Sequence, residues 1–249
     1  MFAATKLASG VLNDFLGYAD IGVTGIKQLY WFPNHDQITY VANSSGVTEV
    51  RFPNIATNSL SGSFVNDSFS LSNCTGAFFR DSGTTVYLYT LDTTSNKVKE
   101  YTTTSGILNT ATATGKEFSV ATQTTSGFNL FFSDDGTVMI VQSSSNVYKY
   151  TLSTAWNITT ASLSSTTSHS NLISIYDTSG NKTSGYLYAA AAGTINRYDV
   201  SPTYTISFSS LSKQITAKEL TGGTSSVICA KSSTILAGNS DGKIYLFGA

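Results

Sequence analysis

The chain has 249 residues and a formal net charge of −1, from 14 Lys and Arg against 15 Asp and Glu. Charged residues make up 12%, about half the usual share, which leaves no basic field for nucleic acid or an anionic membrane surface. Aromatic residues at 12% and only three prolines argue against a disordered or Pro-rich linker chain, and no apolar run approaches the roughly 18–20 residues that span a membrane as a helix.

The first segment, MFAATKLASGVLNDFLG, carries one Lys and no long apolar core, so it does not read as a secretory signal. The expectation is a chain made and folded in a cytoplasm. Phe15 to Ile21 reads as a strand after the turn residues Asn13-Asp14. Leu29-Tyr30-Trp31-Phe32, Ile38 to Val41 and Val47 to Phe52 follow as three strands. In the Ser- and Asn-rich stretch after them, Leu60, Phe64 and Phe69 mark a fourth. Gly76 to Phe79 opens a second group, whose second turn is lengthened to Leu91–Asn96. This group returns through Gly106 to Val120, with Glu117 to Val120 as its strand.

The third group, Gly127 to Trp156, is the clearest. Phe128, Leu130 and Phe132 alternate with Asn129, Phe131 and Ser133, the period expected of a strand with two distinct faces. Asp134-Asp135-Gly136 turns the chain, because Asp hydrogen-bonds its own backbone and Gly tolerates positive φ. Val138 to Val141, a polar turn at Ser143 to Asn146, and Val147, Tyr148 and Tyr150 complete three strands; Asn157 to Thr159 and Ala161 to Ser164 lead back. The fourth group runs Leu172 to Tyr176, a long turn DTSGNKTSG that includes Gly180–Gly185, Tyr186 to Ala190 and an edge segment from Tyr204 to Leu220. The last opens at Val227 to Ala230, turns at Asp241-Gly242 and ends at Phe247.

These groups are one unit repeated. Val50, Tyr101, Tyr150, Tyr198 and Phe247 occupy matching places near the end of the third strand, at steps of 51, 49, 48 and 49 residues. A period near fifty residues signals propellers and solenoids. The fold class expected is all-β: a single five-bladed β-propeller domain over 1–249. Its blades fall at about 25–74, 75–126, 127–170, 171–225 and 226–249, the last completed by a strand from 1–24. Closure of the ring by that N-terminal strand removes open sheet edges. The rival, a linear solenoid, usually has shorter repeats and capping units.

No residue set stands out as catalytic, cofactor-binding or metal-binding. The two histidines are His35 beside Asp36 and His169 among serines; no nucleophile elbow accompanies them, so they read as turn residues rather than members of a hydrolase triad. Cys and His clusters for zinc are absent, and the Asp-Gly turns lack the spacing and terminal Glu of a calcium loop. Gly222-Gly223 has no following Lys or helix, so it is not a phosphate loop. Cys74 and Cys229 fall in non-neighbouring units and read as buried thiols. Trp31, Trp156, Tyr18 and Tyr186 could stack on sugar rings, but packing between blades is the favoured reading. The five N-x-S/T sequons, at Asn43, Asn66, Asn73, Asn157 and Asn181, reflect the abundance of these residues.

Residues Phe131 to Ser162 resemble a repeat found in bacteriophage-encoded β-propeller proteins. The matching positions are Phe132, Ser133, Asp135, Gly136, Thr137, Met139, Val141, Val147, Tyr148, Tyr150, Leu152, Ser153, Thr154, Trp156, Asn157, Ile158 and Thr160. The resemblance covers one unit of five closely and implies a virion component of the tail, fibre or capsid surface. It transfers no catalytic residue and no cofactor. The expectation is a non-enzymatic structural protein of the virion. Its partners would be other virion proteins and a host-surface glycan or protein, with no nucleic acid. Its loops, Leu91–Asn96 and Gly180–Gly185 foremost, would form wet contacts. The alternative is a carbohydrate-binding lectin or adhesin with its site repeated from blade to blade.

Overall fold

The computed structural model describes residues 15–20, 26–32, 37–42, 46–51, 64–83, 85–104, 107–169, 174–177, 185–191, 194–200, 206–209, 211–216, 226–231, 234–239 and 243–248. Among them lie twenty strands in five four-stranded antiparallel sheets. The first sheet consists of β2 (Ile26–Phe32), β3 (Gln37–Ala42), β4 (Gly46–Arg51) and β5 (Phe64–Phe69). The second holds β6 (Cys74–Asp81), β7 (Thr85–Asp92), β8 (Lys97–Thr104) and β9 (Ile107–Ser119). The third holds β10 (Phe128–Phe132), β11 (Val138–Gln142), β12 (Asn146–Leu152) and β13 (Ala161–Ser168). The fourth holds β14 (Ser174–Asp177), β15 (Gly185–Ala191), β16 (Thr194–Val200) and β17 (Leu211–Thr216). In the fifth, β18 (Ser226–Lys231), β19 (Thr234–Asn239) and β20 (Lys243–Gly248) are joined by β1 (Phe15–Asp20), which pairs antiparallel with β20.

The first strands adjoin one another: β2 lies against β6, β6 against β10, β10 against β14, β14 against β18 and β18 against β2. Each sheet is thus reached from the next through its opening strand.

The repeat markers share a register. Val50 faces Val65, Tyr101 faces Ala113, Tyr150 faces Leu163, Tyr198 faces Leu211 and Phe247 faces Phe15 across the third and fourth strands. In all five sheets the pairing slips beside the marker, at Glu49/Val50, Lys99/Tyr101, Lys149/Tyr150, Arg197/Tyr198 and Phe15/Gly17. A bulge at a fixed place bends the outer strand and increases its twist, so each unit repeats a bend as well as a sequence. Tyr150, Tyr101 and Tyr198 are 0%, 8% and 7% exposed. The Phe247 side chain lies outside the described residues.

The alternation expected of β10 is replaced by continuous burial from Asn129 to Phe132, and β11 is buried throughout. Both faces of this sheet are covered. Leu130, Phe132, Met139, Val141 and Tyr150 pack with Tyr89, Leu91 and Val98 of the second sheet. On the other face Phe131, Val138, Ile140 and Val147 pack with Tyr198 and Ile206. A two-faced strand loses its polar alternation because neither face meets water. The outer strands behave oppositely. β13 is exposed over most of its length, and β9 is a thirteen-residue strand rather than the short Glu117–Val120 piece expected. It outruns its partner β8 through two irregularities in the pairing: Thr114, Gly115 and Lys116 stand opposite Glu100, and residues 108–111 stand opposite Thr103.

Candidate functional site

Trp156, which could have stacked on a sugar ring, is committed to packing, the favoured reading. It follows β12 in a turn, at φ +64°, with its amide donating to Gly136 O at 2.8 Å. Its indole neighbours Phe132 at 5.8 Å, Phe78 at 6.2 Å and Tyr89 at 6.4 Å between centroids. Tyr89 hydroxyl donates to Trp156 O at 3.1 Å across the two sheets. The Arg80 guanidinium stands over the indole at 4.7 Å and over the Tyr87 ring at 5.1 Å. Such cation–π contacts hold the flat guanidinium in one orientation. The side chains of Trp31, Tyr18 and Tyr186 lie outside the described residues; their backbones fall in β2, β1 and β15.

A charged group shares this junction. Glu100 on β8 is 2% exposed, and Lys116 reaches back from the β9 bulge to put Nζ 3.1 Å from its Oε1. Burial and then the Glu100 charge push the Tyr89 phenol above its ordinary range, while Arg80 pulls it the other way. Arg80, Tyr89, Glu100 and Lys116 are therefore one electrostatic neighbourhood at the seam of the second and third sheets. Reading residue types alone missed it. The signal in the sequence was an acidic residue one position before a repeat marker, a feature shared with Glu49, where the other units carry Lys149, Arg197 and Leu246.

The loop Leu91–Asn96 is tied to itself and its neighbours. Asp92 Oδ1 accepts from the amides of Thr94 at 2.8 Å and Ser95 at 3.2 Å, and Oδ2 accepts from Ser95 Oγ at 2.9 Å and Lys99 Nζ at 2.6 Å. Burial alone would raise the Asp92 carboxyl, but the hydrogen bonds from Lys99, Ser95 and Thr94 outweigh it and hold it below the usual carboxylate range. Asn73 O accepts from Thr93 N and Oγ1, both at 3.1 Å. A loop so braced makes a rigid, shaped surface rather than an adaptable one. Leu91 and Asp92 belong to β7, so the turn itself is shorter than expected. Of Gly180–Gly185, only Gly185 is described.

The acidic turns are similarly occupied. Asp135 Oδ1 accepts from Ser133 Oγ at 2.7 Å, Thr137 N at 3.0 Å and Thr137 Oγ1 at 2.9 Å, and Asp81 Oδ1 accepts from Gly83 N at 2.7 Å. Among the described residues no group of three or more His, Cys, Asp or Glu side chains is placed to hold a metal. No described helix is long and apolar enough to cross a membrane.

His169 follows β13, its amide donating to Ser145 O at 2.9 Å and its ring 5.8 Å from that of Phe208. Burial lowers its pKa below the ordinary value. His35 lies outside the described residues. Cys74 is a buried free thiol whose Sγ donates to Gly76 O at 3.4 Å, and burial pushes it up to about 12. That leaves it protonated and unreactive at neutral pH. Cys229 lies on β18, its side chain outside the described residues.

Near the meeting of the opening strands, Gln28 links three sheets. Its Nε2 donates to Leu130 O at 2.9 Å, and its Oε1 accepts from Ala77 N at 2.8 Å and Leu130 N at 3.2 Å. Gly76 makes room for it, since a Cβ there would lie 3.1 Å from Gln28 Oε1 and 3.0 Å from Leu130 N. Beside it Asn129 Nδ2 donates to Gln142 Oε1 at 3.2 Å. Where these three strands converge, the Gln28 amide binds main chain and the Asn129 amide binds Gln142.

No family model and no curated protein matches the chain. Among solved structures it is similar to the β-propeller domain of Cps50 (Swd1) from Myceliophteria thermophila. The identity is 10% and the TM-score 0.42, over 91% of this chain and 70% of that one.

Proposed function

We propose that the chain is a single five-bladed β-propeller, closed by β1, that serves as a non-enzymatic contact module. On this reading it is a structural component of a bacteriophage virion, in the tail, a fibre or the capsid surface. The propeller reading is supported by five four-stranded sheets whose opening strands adjoin in order and by the pairing of β1 with β20. The virion assignment rests on the resemblance carried by residues 131–162.

The observation that carries the contact role is the outer strands. β9 and β13 expose most of their side chains, and Ile107, Leu163 and Leu211 are 46%, 45% and 49% exposed on β9, β13 and β17. Leu163 and Leu211 sit at the same register, each opposite a repeat marker. Apolar side chains recurring on an otherwise Ser- and Thr-rich rim fit a protein neighbour better than solvent.

The test is cross-linking mass spectrometry on purified particles. The expected result is cross-links from this chain to another virion protein. Absence from particles, or a sugar bound once per blade at about micromolar affinity, favours a lectin instead. Turnover abolished by His35→Ala or His169→Ala overturns the non-enzymatic role.

A further inference from the structure

We propose that Arg80 is a preformed contact point for a carboxylate, supplied by an acidic side chain of a partner protein, at the seam of the second and third sheets. The guanidinium is already oriented, over Trp156 at 4.7 Å and Tyr87 at 5.1 Å, so little side-chain entropy remains to be lost on binding. It is partly exposed at the end of β6, where β6 runs into the Asp81–Gly83 turn.

The seam holds one buried carboxylate, Glu100, and Lys116 bridges that carboxylate at 3.1 Å. Among the described residues of the seam, two cations, Arg80 and Lys116, thus stand near one buried carboxylate. Asp81, the next residue along, turns its Oδ1 to the amide of Gly83. Among the described residues no ion pair engages Arg80. In a chain with 12% charged residues, a held guanidinium without a carboxylate is an unusual feature, and its forked donors match a carboxylate in a bidentate geometry.

The same packing selects between ligand classes. A sugar ring needs an open aromatic face, whereas the Trp156 indole is packed on by Gly136, Phe132, Phe78, Tyr89 and Arg80. One donor of the partly exposed guanidinium goes to the Tyr89 phenol; the remaining N–H groups are what an acidic side chain would satisfy. This inference deepens the proposed contact role and rests on it for the identity of the partner class. It is read on the isolated chain, so its failure leaves the particle experiment untouched.

The experiment titrates the full chain with triglutamate at low ionic strength and follows the Arg80 Nε–H and Trp156 Nε1–H resonances. Saturable shifts of both are expected, with triglutamine giving none. Arg80→Gln should weaken binding at least about tenfold, and Arg80→Lys, which keeps the charge but not the fork, should weaken it by about threefold or more. Arg80→Lys also serves if the Gln variant fails to fold. The inference is overturned by unshifted resonances at saturating triglutamate or by equal binding to folded Arg80→Gln. A trigalacturonate that shifts the same resonances more strongly than triglutamate would replace the protein ligand by an acidic sugar.

Discussion

Gly136 lies against the face of the Trp156 indole: a Cβ on Gly136 would stand 2.2 Å from both Cδ2 and Cε2 of the ring. The same pair is joined through the main chain, where Trp156 N donates to Gly136 O at 2.8 Å. Gly136 sits at φ +68° and Trp156 at φ +64°. The turn after β10 and the turn after β12 are thus locked together, and a glycine is needed both for the backbone angle and for the absent side chain.

Gly136→Ala should therefore destabilise the fold by about 3 kcal/mol, combining left-handed strain with a steric clash. Gly115 provides the contrast: it has φ +84°, with nothing within 4 Å of a Cβ. Gly115→Ala should cost only about 1 kcal/mol. Urea unfolding of both variants measures the difference, and equal losses would remove the indole from the explanation.

Tyr150 is fully buried, its ring edge-on to Phe118 at 5.3 Å and its hydroxyl donating to Gln123 Oε1 at 3.3 Å. Tyr150→Ala should cost about 4 kcal/mol through the cavity it leaves. Tyr150→Phe keeps the volume and loses one hydrogen bond, for about 1 kcal/mol. A similar loss in both variants, measured by denaturant midpoint at constant m-value, would contradict a packing role for the ring.

The strands and their repeat were legible because turn chemistry and apolar runs are local signals. Tyr101, Tyr150 and Tyr198 could be aligned before any contact was known, and all three are buried. The seam was not legible. Glu100 and Lys116 are brought together by a bulge whose width depends on where Tyr101 pairs with Ala113, and pairing register is a tertiary property. Gln28 looked like one polar residue in a strand. Its partners, Ala77 and Leu130, lie 49 and 102 residues away, a separation over which sequence pattern carries no information. Phe131 was assigned a polar-side position because alternation assumes one wet face, an assumption that fails where a sheet is covered on both sides.

The Asp92–Lys99 pair predicts a pH dependence. Asp92 is held below its ordinary pKa in the fold, so its contribution is fully present above the unfolded carboxylate value of about 3.9. It is lost as pH falls from there through the folded value. Lys99 is raised, chiefly by its hydrogen bond to Asp92, so its contribution persists below the unfolded lysine value of about 10.4 and is lost as pH rises through the folded one. Asp92→Asn should lower stability at neutral pH and so flatten the acid limb of a stability–pH profile, the two chains converging at low pH. An acid limb identical to that of the parent chain would show that the pair contributes nothing.

Deleting residues 1–22 removes β1 and leaves the β20 edge unpaired. An open edge pairs readily with other chains, so the truncated protein should aggregate or melt well below the full chain. Light scattering during a thermal ramp reports both. A monomeric truncation with an unchanged midpoint would show that β1 is dispensable to the fifth sheet.

Gln28 offers the sharpest test of how the sheets are held together. It is 1% exposed, and its one amide satisfies two main-chain donors and one acceptor. Gln28→Leu keeps the approximate volume and removes all three bonds, leaving buried main-chain groups without that partner. The expected loss is about 3 kcal/mol, from roughly 1 kcal/mol or more per orphaned group. Gln28→Glu is more discriminating. A carboxylate still accepts from Ala77 N and Leu130 N, but its second oxygen then faces Leu130 O, acceptor against acceptor. Burial and that carbonyl both favour the protonated acid, which raises the folded pKa above the unfolded value of about 4.3. The Glu variant should therefore recover stability relative to the parent as pH falls from 7 toward that value, while the Leu variant should not. Hydrogen exchange at the Ala77 and Leu130 amides locates the effect: both should exchange faster in Gln28→Leu. A pH-independent Glu penalty, with unchanged protection at those two amides, would show that Gln28 does not join the three sheets.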